Sequence, residues 1–248
     1  MTFDKHLLRK YNVPGPRYTS YPTVPYWEAA TFSGRGWLES VEEAFQASND
    51  AEGISVYIHL PFCESLCTFC GCHKHITKRK TVESPYVQAV LAEWESYRKV
   101  FGGTPRIKEL HLGGGTPTFF SPEHLRALIE GLFEHAERCE NPALSFEAHP
   151  NNTTRAHLEV LRELGFTRNS FGIQDYDPVV QKAINRIQSF EDVKAVTDLS
   201  KEVGYTSVSH DLVFGLPHQS MDAMAQTIDM TAQPVSYTHL TLPTNCVV

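Results

Sequence analysis

Hydrophobic and polar residues alternate from residue 54 onward, and the segment Val56-Tyr57-Ile58-His59-Leu60 has the two-residue period of a β-strand. Later apolar segments predict four further strands, at 107–112, 144–148, 168–174 and 207–214. Between the strands, apolar residues recur at helical spacing, at 84–100, after Ser121, and at 154–164, 178–184, 190–203 and 221–232. The pattern therefore predicts five strands, each followed by at least one helix.

Local end signals support these helices. Ser121 can cap a helix that has Pro122 at its first position and Glu123 in its first turn. Gly165 and Gly204 follow two other periodic segments and are expected to end those helices.

The alternation of strands and helices favours parallel strands joined by right-handed crossovers, and so an α/β fold. Polar and glycine-rich residues follow the predicted strand ends, in a cysteine-rich loop, at 113–117, at Glu147, at 174–175 and at 215–217. Parallel α/β folds place their functional sites at this edge of the sheet. We interpret the fold as a barrel or part of one, with an open doubly wound sheet as the alternative.

Three segments with different patterns divide the chain. Residues 1–50 contain the Pro- and Tyr-rich stretch 14–22, which cannot be a helix or a central strand, and a short amphipathic helix at 36–47. The stretch predicts an extended arm that either lies on the surface or brings residues such as Arg17 to a site. Residues 51–233 form the predicted barrel, and 234–248 are expected to be a non-native tail.

Composition narrows the functional classes. The formal net charge is −7 over 248 residues, so no basic field favours nucleic acid as a partner. No apolar run approaches the ~18 residues that a membrane helix needs. The first ten residues are charged and lack the apolar middle of a secretory signal. We therefore expect a cytoplasmic protein that binds neither membranes nor nucleic acids. We also expect a monomer, independently of composition and charge, which carry no information on the oligomeric state.

Four of the six cysteines fall within ten residues, at Cys63, Cys67, Cys70 and Cys72. A structural zinc site usually has two separated cysteine pairs, and a thioredoxin-type pair leaves two of these thiols without a role. A third hypothesis uses Cys63, Cys67 and Cys70 as three ligands of a [4Fe–4S] cluster with one open iron. The spacing alone leaves all three hypotheses open.

The Cys-x-x-x-Cys-x-x-Cys motif after a first strand, with a glycine-rich end to the second strand, resembles the radical S-adenosylmethionine (SAM) enzymes. More narrowly, the chain is similar to the family of oxygen-independent coproporphyrinogen III oxidases. The similarity runs in order through roughly residues 5–230 and is carried by the stretches 15–22, 63–72, 113–118, 174–175, 185–186 and Asp211 with 215–217.

The resemblance implies a partial radical SAM (β/α) barrel with five of its six βα units present, preceded by the extended arm. It also implies a [4Fe–4S] cluster, two SAM molecules and the oxidative decarboxylation of coproporphyrinogen III to protoporphyrinogen IX in haem biosynthesis. A reductant such as flavodoxin or ferredoxin would supply the electron. The alternative within the superfamily is a haem chaperone, which lacks the 15–22 arm and has an aromatic residue where this chain has Cys72.

The resemblance also implies site residues. The cluster ligands are Cys63, Cys67 and Cys70, and Cys72 is a functional thiol. The cofactor-binding residues are Tyr57, Phe69, Gly114, Gly115, Thr116, Glu147, Gln174, Arg186 and Asp211.

A tetracarboxylate substrate needs cations, and the candidates are Arg17 together with Lys74, Lys78, Arg79 and Lys80. A charge run of this kind is also what a solvated surface carries. His59, His73 and His75 are candidate ligands or proton carriers, with a structural or exposed histidine as the alternative for each.

The family continues beyond this point with a sixth strand and helix. Residues 236–248 show no helical continuation, and a genuine short variant is the alternative to a non-native tail. We therefore expect residues 1–248 on their own to assemble at most a labile cluster and to turn over no porphyrinogen.

Overall fold

The computed structural model describes residues 5–11, 26–28, 32–235 and 240–241. The chain divides into two compact units, residues 1–41 and 42–248. The first unit contains the helix α1 (Lys5–Tyr11) and the beginning of α2 (Gly34–Ser48). The predicted arm at 14–22, including Arg17, lies outside the described residues, as does most of the predicted tail.

Parallel strands form the centre of the second unit. The strands are β1 (Ile54–Leu60), β2 (Phe62–Cys63), β3 (His75–Ile76), β4 (Arg106–Gly114), β5 (Glu137–Ala148), β6 (Arg168–Gln174), β7 (Ser207–Leu212) and β8 (Leu240–Thr241). The main sheet has the order β1-β4-β5-β6-β7-β8, every neighbouring pair is parallel, and β2 pairs with β3 in a separate ribbon.

Helices connect the strands. They are α3 (Glu83–Arg98), α4 (Pro122–Phe133), α5 (Arg155–Glu163), α6 (Pro178–Ala183), α7 (Phe190–Val203) and α8 (Met221–Ala232). The Ser121 side chain caps α4 by accepting a hydrogen bond from the His124 N–H. Gly204 ends α7 in the left-handed conformation, as predicted.

The strand order confirms the predicted α/β fold and separates the two architectures that the sequence left open. Each long strand adds to the same side of the one before it. A doubly wound sheet would reverse direction at a switch point in the strand order. The sequential order is that of a partial barrel, with β1 and β8 as the edges of the sheet among the described residues.

Three long strands differ from their predicted bounds by two residues or more. The second long strand, β4, continues to Gly114 rather than ending at residue 112. The third long strand begins at Glu137 rather than at residue 144. Its register with β4 shifts, and Asn141 has a positive φ of 51°, so the first half is a polar, irregular segment without the apolar alternation that identifies a strand. The fifth long strand ends at Leu212, because Phe214 already lies in a turn and is largely exposed.

The sheet has an apolar face and a polar face. Leu110, Leu112 and Phe146 are fully buried on the apolar face, in one core with Leu128 of α4 and Leu161 of α5. The alternate strand positions carry polar side chains that remain partly exposed, among them His111, Glu147 and Asp211. The helices thus cover one face and leave a polar face whose side chains lead to the strand ends. Within the described residues, no helix combines the length and apolar character needed to cross a membrane.

Candidate functional site

A cleft of about 240 Å³ lies at the carboxyl ends of the long parallel strands. Every strand of the sheet from β1 to β7 contributes to it, directly or through the loop that follows. Its lining includes twelve of the thirteen residues predicted for the site: Cys63, Cys67, Phe69, Cys70, Cys72, Gly114, Gly115, Thr116, Glu147, Gln174, Arg186 and Asp211. The structure therefore brings together residues that are up to 148 positions apart in the sequence (211 − 63).

The cysteine loop is fixed at its base by the β2–β3 ribbon. The His75 N–H donates to the Pro61 carbonyl at 2.8 Å, and the Thr77 N–H donates to the Cys63 carbonyl at 2.9 Å. These bonds close the loop between its two ends, so its conformation does not depend on a bound metal alone.

The tip of the loop is held by the end of α6. The Thr68 N–H donates to the Ile184 carbonyl at 3.1 Å, and the Asn185 amide donates to the Leu66 carbonyl at 2.8 Å. The Lys74 ammonium donates to the Cys70 carbonyl at 2.8 Å and to the Cys72 carbonyl at 3.3 Å. The loop is thus tied to the sheet on one side and to a helix terminus on the other.

The four thiols of the loop are free, and Cys72 is more exposed than the other three. Burial raises the pKa of Cys63, whereas a hydrogen bond from the Cys72 thiol lowers the pKa of Cys70 to about 5. Cys70 and Cys72 thus interact directly with each other, and the ionisation of one thiol affects that of the other.

The donor set fits a multi-iron cluster better than a single metal ion. In the described part of the chain, no three His, Cys, Asp or Glu side chains converge closely enough to hold one ion. Thiolates that each bind a different iron of one cluster are spaced more widely than the ligands of a tetrahedral zinc. Three half-buried free thiols around one cleft therefore match the three-ligand cluster hypothesis and disfavour the zinc hypothesis.

The glycine-rich end of β4 is required by the close approach of β1. The Gly115 N–H donates to the Leu60 carbonyl at 2.9 Å, and a Cβ atom at Gly115 would lie 2.6 Å from the carbonyl carbon and oxygen of Pro61. Gly114 has φ of +114°, and a Cβ there would lie 2.8 Å from the His59 ring. Packing of the strand ends therefore requires glycine at these positions, in addition to the predicted close approach of a cofactor.

Polar side chains from the sheet complete the cleft. Glu147 Oε2 accepts from the Gly114 N–H at 3.3 Å, and its Oε1 lies 3.5 Å from His111 Nε2. Asp211 Oδ2 accepts from the Ser170 hydroxyl at 2.7 Å. Both carboxylates are therefore held in place and remain partly exposed to the cleft.

Arg186 joins the cysteine loop to the sheet. Its Nη1 donates to Cys67 Sγ at 3.6 Å and its Nη2 donates to the Gly172 carbonyl at 2.5 Å. Gln174, with a positive φ of 71°, lies beside it at the end of β6. The guanidinium thus places a permanent positive charge against a predicted cluster ligand.

Tyr57 is the one predicted site residue that does not line the cleft. It lies in the middle of β1, and its hydroxyl is 3.0 Å from His59 Nδ1. Burial raises the pKa of Tyr57, and the charge of Glu147 adds to the effect. His59 Nε2 in turn lies 2.7 Å from the His73 carbonyl, so His59 is a hydrogen-bonded structural residue.

The predicted substrate cations do not act as one group. Lys74 lines the cleft, whereas Lys78 and Arg79 are exposed and lie outside its lining. Lys80 donates to the Phe119 carbonyl at 2.6 Å and forms an ion pair with Glu64 at 3.4 Å. Lys80 is therefore bound to the protein itself and is a structural cation.

His149 and Asn152 line the cleft and were missed by the sequence analysis. Both lie in the segment directly after β5, where a site residue is expected in a parallel sheet. The available signal was their position after the strand end at Glu147 and Ala148.

Comparisons with known proteins agree with this geometry. The model of the Radical SAM superfamily matches residues 57–231. The oxygen-independent coproporphyrinogen III oxidase of Pseudomonas aeruginosa is 35% identical over 247 residues, which cover 96% of this chain and 53% of the relative. The Escherichia coli protein of the same name is 35% identical over 231 residues, covering 93% of this chain and 49% of the relative.

A solved structure is similar over the same region. The coproporphyrinogen III oxidase of Escherichia coli, described as a radical SAM enzyme, superposes with a TM-score of 0.81 at 33% identity, covering 92% of this chain and 50% of that one. The chain spans about half the length of the curated relatives that it matches.

Proposed function

Because the chain belongs to the Radical SAM superfamily, we propose that it takes part in the oxidative decarboxylation of coproporphyrinogen III to protoporphyrinogen IX. Superfamily membership implies a [4Fe–4S] cluster and SAM. The proposal for the reaction rests on the similarity to coproporphyrinogen III oxidases through almost the whole chain, together with a cleft lined by the cysteine motif and the polar strand ends.

Cys63, Cys67 and Cys70 are the residues that would hold the cluster, and Glu147 and the 113–115 backbone would lie beside the bound SAM. Bound together, the cluster and SAM supply a one-electron cleavage of SAM that yields a hydrogen-atom abstractor. The protein contributes binding, orientation and exclusion of water. The hydrogen bonds that join Thr68 and Leu66 of the loop to Ile184 and Asn185 support this assignment, because they fix the loop beside the cleft.

A second SAM molecule is part of the proposal. Phe69, Gly115, Thr116, Gln174, Arg186 and Asp211 are its proposed contacts. Phe69 can pack beside an adenine, Arg186 suits a carboxylate, and Asp211 suits hydroxyl or amino groups. The cleft supports the proposal because all six residues line the same space.

Cys72 is proposed as a functional thiol rather than a cluster ligand. It is exposed and lines the cleft. Its hydrogen bond with Cys70 and its partial burial raise the pKa of its thiol, and the charge of Glu147 adds to the effect. The thiol would therefore keep its proton near neutral pH.

Further proposals concern the electron donor, the oligomeric state and the extent of the catalytic barrel. The electron would come from a reductant such as flavodoxin or ferredoxin, and the protein would act as a cytoplasmic monomer. Residues 51–233 would be the catalytic barrel. The inactivity of residues 1–248 on their own stays a prediction from the sequence.

A haem chaperone of the same superfamily is the second candidate. Among the residues that the structure describes, Cys72 favours the oxidase, because the chaperone has an aromatic residue at that position. Residues 1–248 and the product of the complete gene should be reconstituted anaerobically with iron and sulfide, and assayed with coproporphyrinogen III, SAM and a reductant. Formation of protoporphyrinogen IX by the complete product supports the proposal. Tight haem binding without turnover would favour the chaperone instead.

A further inference from the structure

His149 lies in the cleft but has no role in the chemistry proposed so far. It directly follows the end of β5 at Ala148, and its half-buried ring lines the cleft together with Arg186. Side chains at the carboxyl ends of parallel strands are placed to contact ligands. The ring is therefore within reach of a molecule that fills the cleft.

A backbone hydrogen bond assigns the tautomer of this ring. The Asn151 N–H donates to His149 Nδ1 at 3.2 Å, so Nδ1 is an acceptor and the neutral ring carries its proton on Nε2. Nε2 makes no hydrogen bond to any residue in the described part of the chain. The ring of this cleft-lining residue thus retains one N–H donor that is not used within the described part of the chain.

Burial, together with the neighbouring charge, keeps this donor neutral. Burial, and after it the charge of Arg186, lowers the pKa of His149 to about 3. A neutral donor beside a guanidinium avoids the repulsion between two cations and still adds a hydrogen bond for an anion. The Nε of Arg186 is itself buried without a partner among the described residues, so the guanidinium retains a free donor.

We propose that His149 donates a hydrogen bond from Nε2 to a carboxylate of the molecule bound in the cleft, beside Arg186. The inference rests on the proposed function, which brings two carboxylate-bearing molecules to this protein, SAM and the porphyrinogen with its propionates. His149 is then a binding residue that determines where the carboxylate lies.

Three variants of the reconstituted chain test the proposal. His149→Phe keeps an aromatic ring and removes the donor, whereas His149→Gln keeps a neutral N–H donor. His135→Phe is the matched control, because His135 is exposed and lies outside the cleft lining. Iron content and the thermal unfolding midpoint are measured first, so that affinities are compared between equally folded and loaded proteins.

Equilibrium dialysis then measures the affinity for SAM and for decarboxylated SAM. Fluorescence quenching measures the affinity for coproporphyrin III. If the SAM carboxylate is the ligand, His149→Phe weakens SAM binding about tenfold, leaves decarboxylated SAM unchanged and leaves coproporphyrin III unchanged. If a propionate is the ligand, the same variant weakens only coproporphyrin III. In both cases His149→Gln retains most of the affinity and His135→Phe matches the wild type.

The remaining outcomes overturn the proposal and separate it from the proposed function. Unchanged affinity of His149→Phe for both carboxylate ligands would refute the role of His149 while the proposed function stands. An equal loss for SAM and decarboxylated SAM would show that His149 does not contact the carboxylate. A wild-type chain that holds a cluster but binds neither SAM nor coproporphyrin III would overturn both.

Discussion

The cysteines of one loop differ at the scale of single residues, although the sequence presents four equivalent thiols. Cys63, Cys67 and Cys70 are half-buried around the cleft, and Cys72 is exposed. Arg186 contacts Cys67, and the Cys72 thiol lowers the pKa of Cys70 to about 5. We propose from the family resemblance, together with this difference in exposure, that three of the thiols are cluster ligands and that Cys72 is a separate functional group.

Substitution of the cysteines one at a time tests this division. We expect Cys63→Ala, Cys67→Ala and Cys70→Ala each to lose most of the about four irons of a [4Fe–4S] cluster after anaerobic reconstitution, because each removes one of three ligands. Cys72→Ala should retain the iron. Cys139→Ser is the control, since Cys139 is outside the cleft lining. Iron analysis that finds Cys72→Ala as depleted as Cys63→Ala would refute the division.

Buried histidines make the stability depend on pH. His210 is fully buried, its Nε2 lies 2.9 Å from the Thr197 hydroxyl, and burial lowers its pKa to about 4. The unfolded ring titrates near pH 6.5, above the pKa of the folded ring. The neutral ring therefore makes its full contribution to the free energy of unfolding above pH 6.5, and this contribution is lost as the pH falls toward 4. The free energy of unfolding should fall by about 1.4 kcal/mol per pH unit in this window for His210 alone.

Urea unfolding at several pH values between 7.5 and 4.5 measures this slope. His149 and His157 also have lowered pKa values and add to the slope in the same direction. His210→Gln should therefore have a shallower dependence than the wild type rather than none. Equal slopes for the two proteins would show that His210 does not titrate as described.

At the scale of elements, the ends of β1 and β4 meet so closely that only glycine fits between them. A Cβ at Gly115 would lie 2.6 Å from the Pro61 carbonyl. We expect Gly115→Ala to destabilise the protein by about 2 kcal/mol or more and to weaken iron retention, because Pro61 immediately precedes the β2–β3 ribbon of the cysteine loop. Urea unfolding and iron analysis measure the two effects.

Gly103→Ala serves as the control for this substitution. No atom lies within 4 Å of a Cβ at Gly103, so the change should be nearly neutral. If Gly115→Ala is as stable as Gly103→Ala, the described approach of the strand ends is wrong.

A buried carboxylate connects the end of β6 to the start of α8. Asp175 is fully buried, and its Oδ1 accepts from the Thr227 hydroxyl at 2.9 Å while its Oδ2 accepts from the Gln219 amide at 2.5 Å. Asp175→Ala removes the acceptor of the Thr227 hydroxyl and of the Asp177 N–H, and it leaves the Gln219 amide with the Val213 carbonyl as its remaining oxygen acceptor. The substitution should cost about 2–4 kcal/mol of the free energy of unfolding.

Asp198→Ala, at an exposed ion pair with Lys194, should stay within about 0.5 kcal/mol. Similar losses in the two variants would contradict the buried network.

The sequence predicted most elements because their signals are local. The bounds of β6 and α7 agree with the periodicity. As expected, Ser121 caps the beginning of α4 and Gly204 ends α7. The anchoring of the cysteine loop could not be predicted in this way. The bond from the Thr68 hydroxyl to the Ala183 carbonyl joins residues 115 positions apart, and such contacts leave no local pattern.

The site was predicted largely through resemblance to a family, and the residues that lie outside the family motifs were missed. His149 is a single histidine after a strand end, a position with no spacing rule to identify it. The run of cations at 78–80 was misleading for a related reason, since charge alone does not indicate whether a lysine faces a ligand or, as at Lys80, a backbone carbonyl.

At the scale of the whole molecule, five long parallel strands bring distant residues to one edge of a sheet. The chain of 248 residues spans about half the length of its curated relatives and contains the complete cysteine motif with the cleft beside it. The residues that we propose for cluster binding and SAM binding therefore lie in the described part of this chain.

The most direct test of the central claim is the electron paramagnetic resonance spectrum of the reduced, reconstituted chain, recorded with and without SAM. If Cys63, Cys67 and Cys70 hold a [4Fe–4S] cluster with one iron open, the spectrum of the reduced cluster changes when SAM binds at that iron. A reduced-cluster spectrum that is identical with and without saturating SAM, or a chain that takes up zinc and assembles no cluster, would contradict the account.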